Sequence, residues 1–337
     1  MQGDIIKLKK KPAIISAAAV VGHREFEGPL GAYFDLHSDD DKFGMKTWEK
    51  AENEMQRHAV SFAAAKAKLQ ESNAADCIFA GDLMNQCTAS AYALCGMDKP
   101  YFGLYGACST AAEGLILSAL MIEGGFYKRT MAVTSSHFCT AERQFRFPVE
   151  YGGQRTPTSQ WTVTGAAAFI LGETQSCMYV NEVLPGRVVD KGITDINNMG
   201  AAMAPAAFDT LRRYFTQSDK KPTDFDLIVT GDLGREGHGI VSDFLLADGI
   251  DMRGIYNDCG LMIFDIEEGD YHAGASGCGC SGVVLASFIR DKFLKGEYRD
   301  ILFVGTGAMM SPMTTFQGES IPGIAHLVRI SADRAIN

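Results

Sequence analysis

The sequence predicts an α/β protein built from two similar halves. Three observations carry this expectation. Short apolar runs of strand length alternate with longer stretches of helical periodicity, the pattern of a parallel-rich sheet with helices packed on it. The run DCIFAGDL, from Asp76 to Leu83, has a counterpart 150 residues on in DLIVTGDL, from Asp226 to Leu233. Cys108, at a strand-to-helix turn, has a counterpart at an offset of 170 in Cys278, as Arg129 has in Arg299. Order-preserving self-similarity at so long a period signals a duplicated unit, with the halves over 1–175 and 176–337.

Taken in order, the first strand is 13–21, apolar throughout. His23 to Asp41 is polar and contains glycine, so it reads as a long loop. Thr47 can cap a helix over 48–70, rich in Ala, Glu, Lys and Met. Residues 77–80 form a short buried strand and 86–94 a short helix. Tyr101 to Tyr105, apolar and aromatic, reads as another buried strand. Gly106 breaks it, and from Ala111 the spacing of Leu115, Leu117, Ala119, Leu120 and Ile122 gives a helix that Gly124-Gly125 ends. Ser109 and Thr110 are good N-cap types. A strand over 129–135 follows. Residues 136–160 are polar but carry Phe145, Phe147 and Tyr151 among Glu142, Arg143, Arg146, Glu150 and Arg155. That length marks a functional loop, and its aromatic content argues against disorder. Strands over 161–172 and 177–189 come next. In the second half, 281–294 reads as an apolar-faced helix and 301–304 as a strand.

Composition narrows the function classes. The 337-residue chain is 46% hydrophobic, ample for a packed core. A net charge of −10 speaks against a nucleic-acid partner. No apolar run reaches the length of a transmembrane helix, and the N-terminus lacks the apolar region of a signal peptide. Nine scattered cysteines, an odd number, indicate reduced thiols. Cys278 and Cys280 have no second pair at zinc spacing, so no metal site is expected. Lys7, Lys9, Lys10 and Lys11 form a small basic cluster, read as a solvated strand edge, with contact to an acidic membrane surface as the weaker reading.

The turn at Cys108 carries the chemistry. A thiol at a helix N-terminus faces unpaired N–H groups and the positive end of the dipole, which can lower its pKa and make it a nucleophile. The plainer reading is a small buried residue, since free Cys is often buried and inert.

The two halves with the Gly-Ala-Cys-Ser turn resemble the thiolase and 3-ketoacyl synthase family, which implies a thiolase-like αβαβα five-layer fold and a homodimer. A narrower resemblance, to the stage V sporulation protein AD family, runs from end to end. It is carried by GPLG at Gly28, KTWE at Lys46, AGDL at Ala80, GACST at Gly106, TSSH at Thr134, TAERQFR at Thr140, ITD at Ile193, TGDL at Thr230, SGC at Ser276 and the IAH that ends in His326. This resemblance implies binding of dipicolinic acid (pyridine-2,6-dicarboxylate), alone or as its calcium chelate, and its movement into the developing spore. It also implies other stage V sporulation A membrane proteins as partners and a soluble chain held peripherally at the spore inner membrane through them.

The residues bear on two chemistries. A condensing enzyme needs a thiolate and two polar partners that stabilise an enolate or move a proton. Alignment to that pattern puts Gly231 where the first histidine belongs, so the role is vacant. If the chain is an enzyme, Cys108 is the nucleophile with His238 or His272 recruited. A binder of a flat dianion needs arginine forks and apolar walls. Arg143 and Arg146 with Tyr151 and Glu142 could supply them, above a floor of Cys108, Ser109, Thr110 and Cys278. Arg143 could equally pair with Glu142, Glu150 or Glu113 as structure. The reading is a non-catalytic binding protein without cofactor or metal. A condensing enzyme, or a structural subunit of a spore membrane complex, is the alternative. For calcium, Asp232, Asp258 or Glu142 could give oxygen ligands, but no calcium loop is visible.

Overall fold

The computed structural model describes residues 3–145 and 154–332. Ten strands form the frame. In the first half these are β1 (Ala13–Val21), β2 (Cys77–Gly81), β3 (Tyr101–Gly103), β4 (Arg129–Ser136) and β5 (Gly165–Gly172). In the second they are β6 (Tyr179–Leu184), β7 (Leu227–Thr230), β8 (Tyr256–Asp258), β9 (Asp300–Ala308) and β10 (Gly323–Ser331). The spatial order is β3-β2-β4-β5-β1 in one half and β8-β7-β9-β10-β6 in the other, the same order in both. The directions repeat too. β2 runs parallel to β3 and β4, while β5 is antiparallel to β4 and β1. β7 runs parallel to β8 and β9, while β10 is antiparallel to β9 and β6. One residue pair, Ala13 with Tyr179, joins the sheets.

The helices define the layers: α1 (Trp48–Lys66), α2 (Thr110–Glu123), α3 (Phe138–Phe145), α4 (Met199–Gln217), α5 (Gly234–Ala247) and α6, over 278–294. Three apolar cores separate them. α2 and α6 lie between the sheets, and their Leu115, Ala119, Ile122, Val283, Leu285 and Ile289 share one core with residues of both. α1 covers the outer face of the first sheet through Met55, Ala59 and Ala63. α4 and α5 cover the outer face of the second through Met203, Leu211, Val241 and Leu245. Helix, sheet, helix pair, sheet, helix is the αβαβα order. The central helices are apolar on nearly every side because each touches two sheets. α6 contains a π-helical segment, Leu285–Ile289.

Several elements differ from their sequence reading. β3 is an exposed edge strand, not a buried one, because no strand pairs beyond it. Its aromatic residues reflect strand propensity, not burial. Residues 161–172 are two strands. Trp161–Thr162 pairs instead with Ala275–Ser276 of the other half. The 23–41 loop contains a short helix, His23–Glu27, and a short strand, Leu36–His37, beside β1. α1 stops at Lys66, and the helix read over 86–94 begins at Thr88, after left-handed Gln86 and Cys87.

Candidate functional site

A cavity of about 330 Å³ opens where the two halves meet, at the carboxyl ends of the parallel strands. Ligands of open α/β sheets bind at such strand ends. From the first half come Leu83 and Asn85 after β2, Tyr105 and Cys108 before α2, and Ala141, Glu142 and Phe145 of α3. From the second come Asp232 after β7, Met199 and Met203 of α4, and Met309, Met310 and Ser311 after β9. Thr162 and Ser276, from the strand pair that ties the halves together, close the wall. The lining is mostly apolar with a few polar atoms, the usual make-up of a small-molecule site.

The floor is Cys108. Ala107 before it takes a left-handed conformation, φ 50°, which a non-glycine residue holds only when the fold imposes it. Of the two readings of this thiol, activated or inert, its surroundings favour the inert one. Burial first, then the charge of Asp232, raises its pKa well above the ordinary thiol value. The Asp232 carboxylate lines the same cavity and its charge opposes ionisation of the thiol. Asp232 is buried and accepts from the Gly277 amide at 2.9 Å and the Thr306 hydroxyl at 2.8 Å. Burial lifts its pKa to about 6, against those hydrogen bonds. A carboxylate still mostly ionised at neutral pH therefore stands beside the thiol and opposes thiolate formation, outweighing the helix terminus.

Gly231 carries no side chain for a steric reason. A Cβ there would meet the Thr306 amide nitrogen at 2.9 Å. Neither proposed substitute reaches the cavity. His238 stacks on Tyr256 at 4.2 Å, away from the lining, and burial lowers its pKa. His272 pairs with Asp270 at 2.6 Å. His326, half-buried on β10, accepts from the Gly186 amide. Among the described residues, no histidine lines the cavity.

The binding residues read from the sequence fare unevenly. Glu142 lines the cavity and faces Arg155 at 3.7 Å. Arg143 does not line it: the guanidinium pairs with Glu49 at 2.5 Å and lies over Trp48 at 4.7 Å. Its helical position turns it to α1 rather than inward, and the partner is Glu49 rather than Glu142 or Glu113; Glu150, the third carboxylate expected, lies outside the described residues. Ser109 and Thr110 do not offer their hydroxyls to the cavity or to the helix start. They donate back to the Gly106 and Ala107 carbonyls, at 2.6 and 2.7 Å. Cys278 is buried behind the wall and donates to the Ser135 carbonyl at 2.9 Å. Arg146 and Tyr151 lie outside the described residues.

The sequence reading missed Gln160 and Thr306 and gave Asp232 no role beside Cys108. Gln160 donates to the Asp232 carbonyl at 2.7 Å and to the Ala275 carbonyl at 2.9 Å, fastening one wall across both halves. Arg155 supports it from behind, donating to the Gln160 carbonyl at 2.5 Å. The repeated Gly-Asp-Leu after β2 and β7 was the available signal for Asp232. The nine cysteines are free, and no group of His, Cys, Asp and Glu among the described residues is arranged to hold a metal ion.

A duplicated αβαβα arrangement with a cysteine at the start of a central helix defines the thiolase-like fold class. Solved structures agree on the fold. The chain is similar to 3-oxoacyl-[acyl-carrier-protein] synthase III from Aquifex aeolicus VF5, with a TM-score of 0.55 at 11% identity over 94% of this chain and 99% of that one. It is also similar to a single-substitution variant of OleA from Xanthomonas campestris, with a TM-score of 0.61 at 12% identity over 97% and 99%. Within that class the chain belongs to the stage V sporulation protein AD (SpoVAD) family, which it matches over residues 3–331. It is 42% identical to stage V sporulation protein AD of Bacillus subtilis (strain 168), over 92% of this chain and 91% of that protein.

Proposed function

We propose that this chain binds dipicolinic acid in the Cys108 cavity without catalysis and supports its passage into the developing spore. The observation that carries the non-catalytic part is the Cys108 thiol facing the charge of the buried Asp232 carboxylate, with no histidine among the described lining residues. Leu83, Tyr105, Phe145 and Met310 offer apolar walls for a flat ring, and Asn85, Gln160, Ser276 and Ser311 offer polar atoms for its edge. Family membership supports a role in sporulation.

The charge of the lining refines the ligand. Among the described lining residues there are two carboxylates, Glu142 and Asp232, and no lysine or arginine. A free dianion would be repelled by Asp232. A calcium chelate is neutral, and its metal takes further carboxylate oxygens. Binding is therefore expected to strengthen with calcium.

Calorimetric titration with dipicolinate, with and without calcium, tests this, with isophthalate as the control that lacks the ring nitrogen. Saturable binding of dipicolinate over isophthalate is expected. No binding in either condition, or equal binding of isophthalate, overturns the reading. In this reading the chain works as a homodimer with stage V sporulation A membrane proteins, which hold it at the spore inner membrane. No helix among the described residues is long and apolar enough to cross a membrane.

Acyl transfer is the second reading, favoured by the position of Cys108 at the floor of an open cavity. Rapid stoichiometric labelling of Cys108 by an acyl thioester would support it and sink the first.

A further inference from the structure

Behind the first-half wall of the cavity lie two buried carboxylates, Glu52 of α1 and Asp82 after β2. A continuous hydrogen-bonded chain connects them. Ser90 donates its hydroxyl to Asp82 at 2.7 Å, and Gln56 donates to the Ser90 oxygen at 3.0 Å and to the Ser135 oxygen at 2.7 Å. Ser135 in turn donates to Glu52 at 2.8 Å. The other Glu52 oxygen meets the Thr140 hydroxyl at 2.7 Å. Neither carboxylate has an ion pair among the described residues. Two such charges buried together are too costly to coexist, and one proton relieves the repulsion.

The hydrogen bonds decide which group holds that proton. Asp82 accepts from the Met84 and Ser90 amides and from the Ser90 hydroxyl, three donors that favour its ionised form. Glu52 has two hydroxyls only. One of them has an alternative, because the Thr140 oxygen also lies 3.0 Å from the His137 carbonyl. With Thr140 donating to His137, a protonated Glu52 can donate to Thr140 and every hydrogen is used.

The chain ends in the cavity walls. Asp82 fixes the turn that presents Leu83 and Asn85, and Thr140 belongs to α3, which presents Ala141, Glu142 and Phe145. We propose that Glu52 and Asp82 hold one proton between them, and that this proton fastens both first-half walls of the cavity to α1, making the cavity sensitive to pH. The inference needs no particular ligand.

Cys87, Tyr101 and Tyr105 face Asp82, and burial raises each above its ordinary value, so all three are neutral. Glu49 adds negative charge from the same helix as Glu52. Cys278, at the start of α6, faces both carboxylates as a neutral thiol. His137, before α3, has its ring nitrogens engaged by the Cys139 amide and the Asp41 carbonyl. The helix Thr88–Leu94 and strands β1 and β5 bring no charged group. Burial and Asp82 raise Glu52 from 4.5 to about 8. Its contribution to stability is fully present below pH 4.5 and is lost as pH rises toward about 8.

Hydrogen exchange on the full chain between pH 6.5 and 9, corrected for intrinsic exchange, tests the proposal. In the wild type, protection of 83–90 and 138–145 is expected to fall by up to about tenfold per pH unit as pH rises to about 8 and to level off above it. Glu52→Gln removes the titrating group and is expected to keep those segments protected at pH 9, while Asp82→Asn removes the repulsion but not the burial, so its fall is expected to be smaller and to end at a lower pH. If Glu52→Gln fails to fold, Asp82→Asn answers alone. The same pH dependence in wild type and variant overturns the proposal.

Discussion

At the scale of single residues, Asp232 determines what Cys108 can do. Asp232→Asn removes the charge and keeps an acceptor for Thr306. The thiol pKa should then fall and alkylation of Cys108 by iodoacetamide at pH 7.5 should rise, by about tenfold for each unit of the fall. An unchanged rate would mean that burial alone keeps the thiol inert. Asp232 also shapes the pH profile. Its pKa rises from 3.8 to about 6 on folding, so the folded chain holds an extra proton between those values. The stability it contributes is complete below pH 3.8 and is lost by about pH 6, and the Asn variant should lack that slope in thermal denaturation. His326 acts oppositely. Burial depresses it to about 4, so its stability is present above pH 6.5 and lost as pH falls toward 4. His326→Asn, which keeps an acceptor for Gly186, should blunt that acid loss. The place of Cys108 was legible because a cysteine between a strand and a helix is a local pattern. Its neighbours were not, because Asp232 lies 124 positions away and only folding brings it near.

At the scale of elements, α4 and α2 show how local rules and long-range packing divide the work. The N-cap of α4 is Asn198, whose side chain accepts from the Ala201 amide at 3.1 Å. Asn198→Ala should cost about 1 kcal/mol in chemical denaturation. Because Asn197 and Met199 line the cavity, ligand affinity should fall with it. In α2 the fully buried Leu115 touches the core between the sheets, and Leu115→Ala should cost about 2–5 kcal/mol. Strands and long helices were readable from periodicity. β3 was misread because an aromatic edge strand and a buried strand have the same composition. Arg143 was misassigned for a related reason. Its helix was not foreseen, so its direction could not be, and α3 turns it onto Trp48 and Glu49.

At the scale of the whole molecule, close approach between the central helices and the sheets fixes the architecture. A Cβ at Gly305 of β9 would lie 2.6 Å from the Ala112 Cβ of α2. Gly305→Ala should therefore destabilise the fold by about 1–3 kcal/mol, read as a lower midpoint in urea. The duplication was legible from the offset matches, and the repeated strand order explains them. The same repetition pairs Cys108 with Asp232 across the halves, and Cys278 with Asp82. The two arrangements occupy equivalent places in the repeated fold but differ in what surrounds them. Met203 lines the open copy, while on the other side Glu52, Gln56 and Ser90 fill the space beside Asp82 with a polar plug. Of these two related vestibules one stands open and the other is filled by its own side chains, so a titration of this chain should saturate at a single equivalent.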